Sequence, residues 1–134
     1  MSASNYAELK ILDHVLGTAT FAKPAAVYVG LYTADPGEAG PGTEVAAGLG
    51  YARQAVAFSA AAAGQAVNAA LVTFPPAAGG AWGTITHFGI FDAVSGGNLL
   101  LSGQLMKDGV PTPRVISDSD ALLLNAGAIQ VNMD

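Results

Sequence analysis

Cysteine is absent from the 134 residues of this chain. Its absence excludes disulfide bridging, thiol catalysis and cysteine-ligated zinc, and it fits assembly in a reducing cytoplasm. Charge is scarce as well: 11% of residues are Asp, Glu, Lys or Arg, against about 25% in an ordinary soluble domain. The five basic residues, Lys10, Lys23, Arg53, Lys107 and Arg114, are scattered, and the formal net charge is −5. No basic stripe is present to neutralise phosphates, so direct nucleic-acid binding is not expected. Long hydrophobic runs are missing too, and Met1 is followed by Ser-Ala-Ser-Asn rather than by the basic and apolar stretches of a signal peptide. Neither a membrane span nor an export signal is therefore expected.

What remains is a chain of a size that fits one domain over 1–134, able to bury roughly two-thirds of the surface its unfolded form exposes. Its exterior must be built largely from Ala, Gly, Ser, Thr and Asn. Charged residues are depleted in the same way at the cores of protein interfaces, so the expectation is a homo-oligomer with much of its exterior covered.

One helix is predicted, over about 6–16. Asn5 and Glu8 have the spacing of a capping box, and Gly17 stands where a helix ends. Leu9, Leu12 and Leu16, with Ile11 and Val15 beside them, form one apolar face, and Glu8, Lys10, Asp13 and His14 lie on or near the other. Such a face lies on something, either an open end of the remaining domain or a partner subunit.

From Ala26 onward, short β-like runs are punctuated by Gly and Pro. Val27, Val29 and Leu31 alternate with Tyr28, Gly30 and Tyr32, and the segment from Asp35 to Gly42, with two prolines and three glycines, predicts an exposed loop suited to contacts. Further strands are expected over 51–58, 70–74 and 84–91. Ser95-Gly96-Gly97-Asn98 predicts a hairpin turn into Leu99-Leu100-Leu101, and two last strands near 121–124 and 128–131 are joined across Asn125-Ala126-Gly127. About seven short strands after one helix, with no second helical period, predict a mainly β fold, an antiparallel β-sandwich. The stretch Ala60 to Ala63 is open to either a helical or a loop reading.

The chemistry of catalysis finds few candidates. His14 falls on the polar helix face and His87 in mid-strand, far apart and without zinc-ligand spacing. Asp118 and Asp120, or Asp35, Glu38 and Glu44, match no calcium-loop order and are explained as turn caps. Gly48-Leu49-Gly50 lacks a Walker lysine, and no serine sits in a GxSxG elbow. The expectation is a non-enzyme with no catalytic residue, metal or cofactor. A hydrolase using His87 with Asp92 is the weakest alternative. Trp82, flanked by Gly79, Gly80 and Gly83, reads as a core plug, or else as an intersubunit anchor or a platform for a sugar.

Several pieces, in order, resemble a known group. They are the helix from Leu9 to Leu16, the strand and loop from Val27 to Pro36, Glu44 with Tyr51-Ala52-Arg53-Gln54, Val72-Thr73-Phe74-Pro75, Trp82 to Ala93, and Ser95 to Leu100. Together, over most of 9–131, they resemble small virion proteins of tailed bacteriophages, of the head decoration, cement or tail-fibre-like kind. The resemblance implies a structural β-sandwich protein of the virion and carries over no enzymatic residue. The first expectation is a capsid decoration protein made in the host cytoplasm. It would sit on the outer head surface as a trimer and bridge major capsid protein subunits. The alternative is a tail-tip or tail-fibre subunit contacting the host surface. The contact residues expected from composition and position are Leu9, Leu12, Leu16, Asp35, Pro36, Glu38, Pro41, Glu44 and Trp82.

Overall fold

The computed structural model of the protein describes residues 1–40 and 42–133. A short strand β1 (Ser2–Ala3) precedes helix α1 (Asn5–Val15). The helix starts one residue before its predicted start because its cap is Ser4 and not Asn5. Ser4 Oγ accepts from the Ala7 amide at 3.1 Å, and its carbonyl accepts from the Glu8 amide at 2.9 Å. The same serine donates its hydroxyl to the Leu99 carbonyl and its amide to that of Leu100. One buried residue thus caps the helix and fastens it to a strand.

Among the described residues thirteen strands fit the mainly β expectation, many of them shorter than the sequence suggests. A five-stranded sheet has the order β1, β8 (Leu99–Gln104), β7 (His87–Phe91), β2 (Val27–Tyr32), β3 (Gln54–Val56). Four two-stranded ladders join β4 (Gln65–Val67) to β13 (Gln130–Asn132), β5 (Val72–Thr73) to β12 (Leu123–Leu124), β6 (Gly83–Ile85) to β11 (Arg114–Ile116) and β9 (Met106–Lys107) to β10 (Val110–Pro111). Every pairing among the described residues is antiparallel.

The single strand predicted over 84–91 is two strands in different ladders. Thr86 is the corner: its amide donates to the Tyr32 carbonyl, and its own carbonyl accepts from the Leu105 amide. The apolar alternation continues across a corner of this kind, so the pattern alone does not reveal it. The last two strands are present but pair with β5 and β4 rather than with each other. Buried Asn68 brackets their connection, donating to the carbonyls of Ala70 and Asn125 and accepting from the Ile129 amide. Ala62 and Gln65 exchange backbone hydrogen bonds, so the alanine run ends in a tight turn with Ala63 at φ 51°.

Two apolar clusters lie on opposite faces of the large sheet. Val29, Leu31, Phe88 and Ile90 point into the main core with Tyr51, Phe74 and Trp82, while Tyr32, Phe91 and Leu99 form a second cluster. Both faces of β2 are covered, which is why residues 29 to 32 are all buried. Trp82 is the predicted core plug. It is 5% exposed, packs edge-on against Tyr51 and Phe74, and donates Nε1–H to the Leu49 carbonyl at 2.7 Å.

Helix α1 corrects a further expectation. It packs on β8 and β1, yet its buried residue is Ala7, with Ile11 half-buried one turn on. Leu9, Leu12, Val15 and Leu16 are 65%, 55%, 72% and 72% exposed. Ala7 and Ile11, four residues apart, lie on the side toward the sheet. Among the described residues, the leucine face is therefore turned largely outward.

Candidate functional site

The second cluster is the floor of a cavity, and two mid-strand glycines make room for it. Gly30 of β2 faces Gly89 of β7 across the ladder. A Cβ on Gly30 would lie 2.9 Å from Glu44 Oε1 and 3.0 Å from both Phe91 Cε2 and Tyr51 Oη. On Gly89 it would lie 2.8 Å from Leu99 Cδ1 and 2.9 Å from Tyr32 Cε2. The rings and the carboxylate therefore rest directly on bare backbone.

Glu44 is placed there by a backbone bridge to Tyr32 just beyond the end of the Asp35 loop. Arg53, one residue before β3, meets it as a fork: Nε reaches Oε1 at 2.8 Å and Nη2 reaches Oε2 at 2.9 Å. Nη1 donates to the carbonyls of Ala93 and Gly96, and the guanidinium carbon lies 3.4 Å from the Phe91 ring centroid. Tyr51 donates its hydroxyl to Glu44 Oε1 at 2.7 Å and accepts from the Leu31 amide. The β7–β8 turn is closed by Asp92, whose carboxylate accepts from the backbone amide and from Nδ2 of Asn98.

Electrostatics follow from this packing. Burial pushes the Glu44 carboxyl up, but the hydrogen bonds from Arg53 and Tyr51 outweigh it and hold Glu44 below the usual value. Burial likewise opposes the charge on Arg53, and the Glu44 carboxylate more than restores it. Tyr51 is raised by burial and by its bond to Glu44. Tyr32 is pushed up to about 12 by burial and by the nearby Glu44 charge. Burial raises Asp92, and its hydrogen bonds, those from Asn98 foremost, together outweigh that and bring it below the ordinary range. The shifts favour a charged Glu44 and Arg53 and a neutral Tyr32 and Tyr51.

The cavity above this floor measures about 460 Å³. It is lined by the first turn of α1, residues 38–40 and the 96–98 turn, together with Tyr32, Glu44, Arg53 and Phe91. The Tyr32 hydroxyl is the one buried side-chain polar atom among the described residues without a hydrogen-bond partner. A wider cleft of about 590 Å³ opens beside β8, lined by Leu105, Arg114 and Ile129 among others.

The residues expected to make contacts fall in different places. Leu9, Leu12 and Leu16 form a continuous exposed stripe. Asp35 and Glu38 are exposed in their loop. Asp35 accepts from the Gly37 amide, and Glu38 accepts from Ser2 Oγ through its carboxylate and from the Asn5 amide through its carbonyl. Pro36 is buried rather than offered to a partner, and Glu44 is taken up by the clasp with Arg53. Trp82 belongs to the chain's own core and presents no anchor or platform. Pro41 lies outside the described residues.

His87 and Asp92 stand at the two ends of β7. His87 Nδ1 is 2.8 Å from Thr86 Oγ1, and its Nε2 is 4.0 Å from Asp35 Oδ2, so it faces Asp35 and not Asp92. Among the described residues no three His, Asp or Glu side chains are grouped to hold a metal ion, and no helix is long and apolar enough to cross a membrane. The Arg53–Glu44 clasp was missed in the sequence. Its available signal was one acid and one base nine residues apart in a charge-poor chain, beside a strand with a glycine at its centre.

No curated protein matches the sequence. A family model described as podophage GP4 fiber I protein gp80 matches residues 2–132, nearly the whole length, and the chain belongs to that family.

Proposed function

We propose that this chain is a structural subunit of a tail fibre or tail tip, that copies of it assemble through the outward face of α1, and that the assembly contacts the host surface. The family match over residues 2–132 carries this reading in preference to head decoration. The helix supplies its physical means. Leu9, Leu12 and Leu16 are spaced three and four residues apart, the spacing of a coiled-coil seam, and the described residues leave each of them more than half exposed.

Fully burying a leucine or valine stabilises by about 1.5–3 kcal/mol. Four such side chains, each more than half exposed, would contribute about 5 kcal/mol per copy on burial. Association costs about 4–15 kcal/mol in lost freedom. The stripe alone is thus marginal for two copies and becomes effective when several copies share one axis, as in a trimer. The chain is proposed to act without catalysis or cofactor.

The charge-poor surface supports a second reading, a decoration protein whose copies bridge major capsid protein subunits on the outer head. Immunogold labelling of intact particles with antibodies to this chain separates the two. Gold at the tail supports the fibre reading, and gold spread over the heads overturns it.

A further inference from the structure

The leucine stripe of α1 carries acid on both borders. Glu8 stands four residues before Leu12, and Asp13 stands four after Leu9 and three before Leu16, so each carboxylate adjoins the leucines on the helix surface. Both acids are exposed. Lys10, off the stripe, lies over the Tyr6 ring, its ammonium 5.9 Å from the centroid. Two copies joined stripe to stripe would bring carboxylates against carboxylates at the margins of the seam, where paired helices ordinarily set opposite charges. The outward face of α1 therefore fits a partner that is apolar, concave and bordered by positive charge.

The chain itself carries a surface of that description. The cleft of about 590 Å³ beside β8 has a buried floor of Phe88, Leu105, Leu124 and Ile129. Met1, Met106 and Leu123 also line it and are each about half exposed. Arg114 belongs to the same lining, is exposed, and has no carboxylate of the described residues within ion-pair distance. Lys107 follows Met106 on β9 and is exposed too. Against these two cations, Asp108 is the one acid of the lining among the described residues. None of residues 5–16 lines the cleft, so within one copy the stripe and the cleft are separate surfaces. An amphipathic helix laid into an apolar groove is a recurring mode of protein recognition, and it buries apolar surface on both partners.

We infer that the leucine stripe of one copy docks in the cleft of a second copy, over Met106 and Leu123, with Glu8 and Asp13 facing Arg114 and Lys107. The contact joins two different surfaces. Repeated about a common axis, it fills every cleft with a neighbour's helix and closes a ring. The inference rests on the proposed assembly through α1 and names the surface that receives the helix.

The test follows self-association of the purified full-length protein by sedimentation equilibrium. Leu123→Asp puts an acid into the cleft, and Leu9→Ser with Leu12→Ser removes the stripe. Each is expected to weaken association about tenfold or more, the lost burial of a part-exposed leucine. Mixed one to one, the two variants are expected to form a heterodimer at concentrations where neither associates alone, because the first keeps its helix and the second its cleft. Arg114→Glu is expected to weaken association about threefold. Met106→Asp, on the β9–β10 hairpin, repeats the cleft test if Leu123→Asp melts well below the parent. The inference is overturned if the parent stays monomeric, if the cleft variants or Arg114→Glu associate as the parent does, or if the mixture gives no heterodimer. Association lost in the helix variant but kept in both cleft variants would overturn the cleft contact while leaving assembly through α1 in place. Gold on heads rather than tails would overturn the fibre reading and leave the cleft contact untouched.

Discussion

The Arg53 guanidinium lies 3.4 Å from the centroid of the Phe91 ring. One edge of it holds the Glu44 carboxylate, and another holds two carbonyls of the turn that follows Phe91's strand. A single side chain therefore ties the strand-entry segment at 53, the loop exit at 44 and the β7–β8 turn together. A lysine cannot reproduce the planar fork or the stacking. Arg53→Lys is expected to destabilise by about 2 kcal/mol and Arg53→Ala by about 3 or more, since the latter leaves a half-buried carboxylate unpaired. Urea denaturation of both variants checks the order.

Stability should fall in acid, and Glu44 should account for much of the fall. Its folded carboxyl titrates below the ordinary 4.5, so the unfolded chain takes up the proton first. The clasp's contribution is complete above pH 4.5 and is lost as pH drops from there through the lower folded value. Asp92, also lowered, adds to the loss in the acid range with the same sign. Glu44→Gln should be less stable at pH 7 and should show a shallower loss between pH 5 and 2 in pH-resolved melting curves.

The paired glycines are expected to be intolerant of the smallest side chain. Gly30→Ala and Gly89→Ala each place a methyl within about 3 Å of ring, hydroxyl or carboxylate atoms, an overpacking expected to cost about 1–3 kcal/mol. Gly17→Ala meets nothing within 4 Å and bears only the strain of its φ of 79°, about 1 kcal/mol. Denaturation midpoints of the three variants test the ranking.

Trp82, the one tryptophan of the chain, should report the core directly. Its burial against Tyr51 and Phe74 predicts blue-shifted fluorescence resistant to iodide, moving to the red on unfolding. Trp82→Phe removes ring volume and one of two hydrogen bonds to the Leu49 carbonyl, which keeps the Ala78 amide as its other donor, a loss of about 2 kcal/mol.

The leucine stripe should be separable from folding. Leu9→Ser with Leu12→Ser changes residues that this chain leaves mostly exposed, so the melting temperature of dilute protein is expected to move by less than about 0.5 kcal/mol equivalent. Self-association, followed by light scattering against concentration, should be lost. A variant that unfolds in dilute solution would show that the stripe is packed within the chain after all.

The sequence revealed elements better than their neighbours. Leucine periodicity located α1 to within a residue, and Ser95 to Asn98 located the hairpin, because each signal is local. The direction of the leucine face was not legible, since an amphipathic pattern says that a face is covered and not by what. Ala7 and Ile11, less conspicuous than the leucines, are the residues on the sheet side. The corner at Thr86 was hidden because alternation survives a change of ladder. The cavity depended on contacts between Glu44, Arg53 and Phe91, which only the folded topology brings together.

The central claim, a fibre subunit assembled through α1, is tested most directly by cryo-electron microscopy of the intact particle with this chain located by its density. The account predicts density at the tail, with copies meeting along Leu9, Leu12 and Leu16. A regular array over the head lattice, in numbers comparable with the capsid subunits, would contradict it.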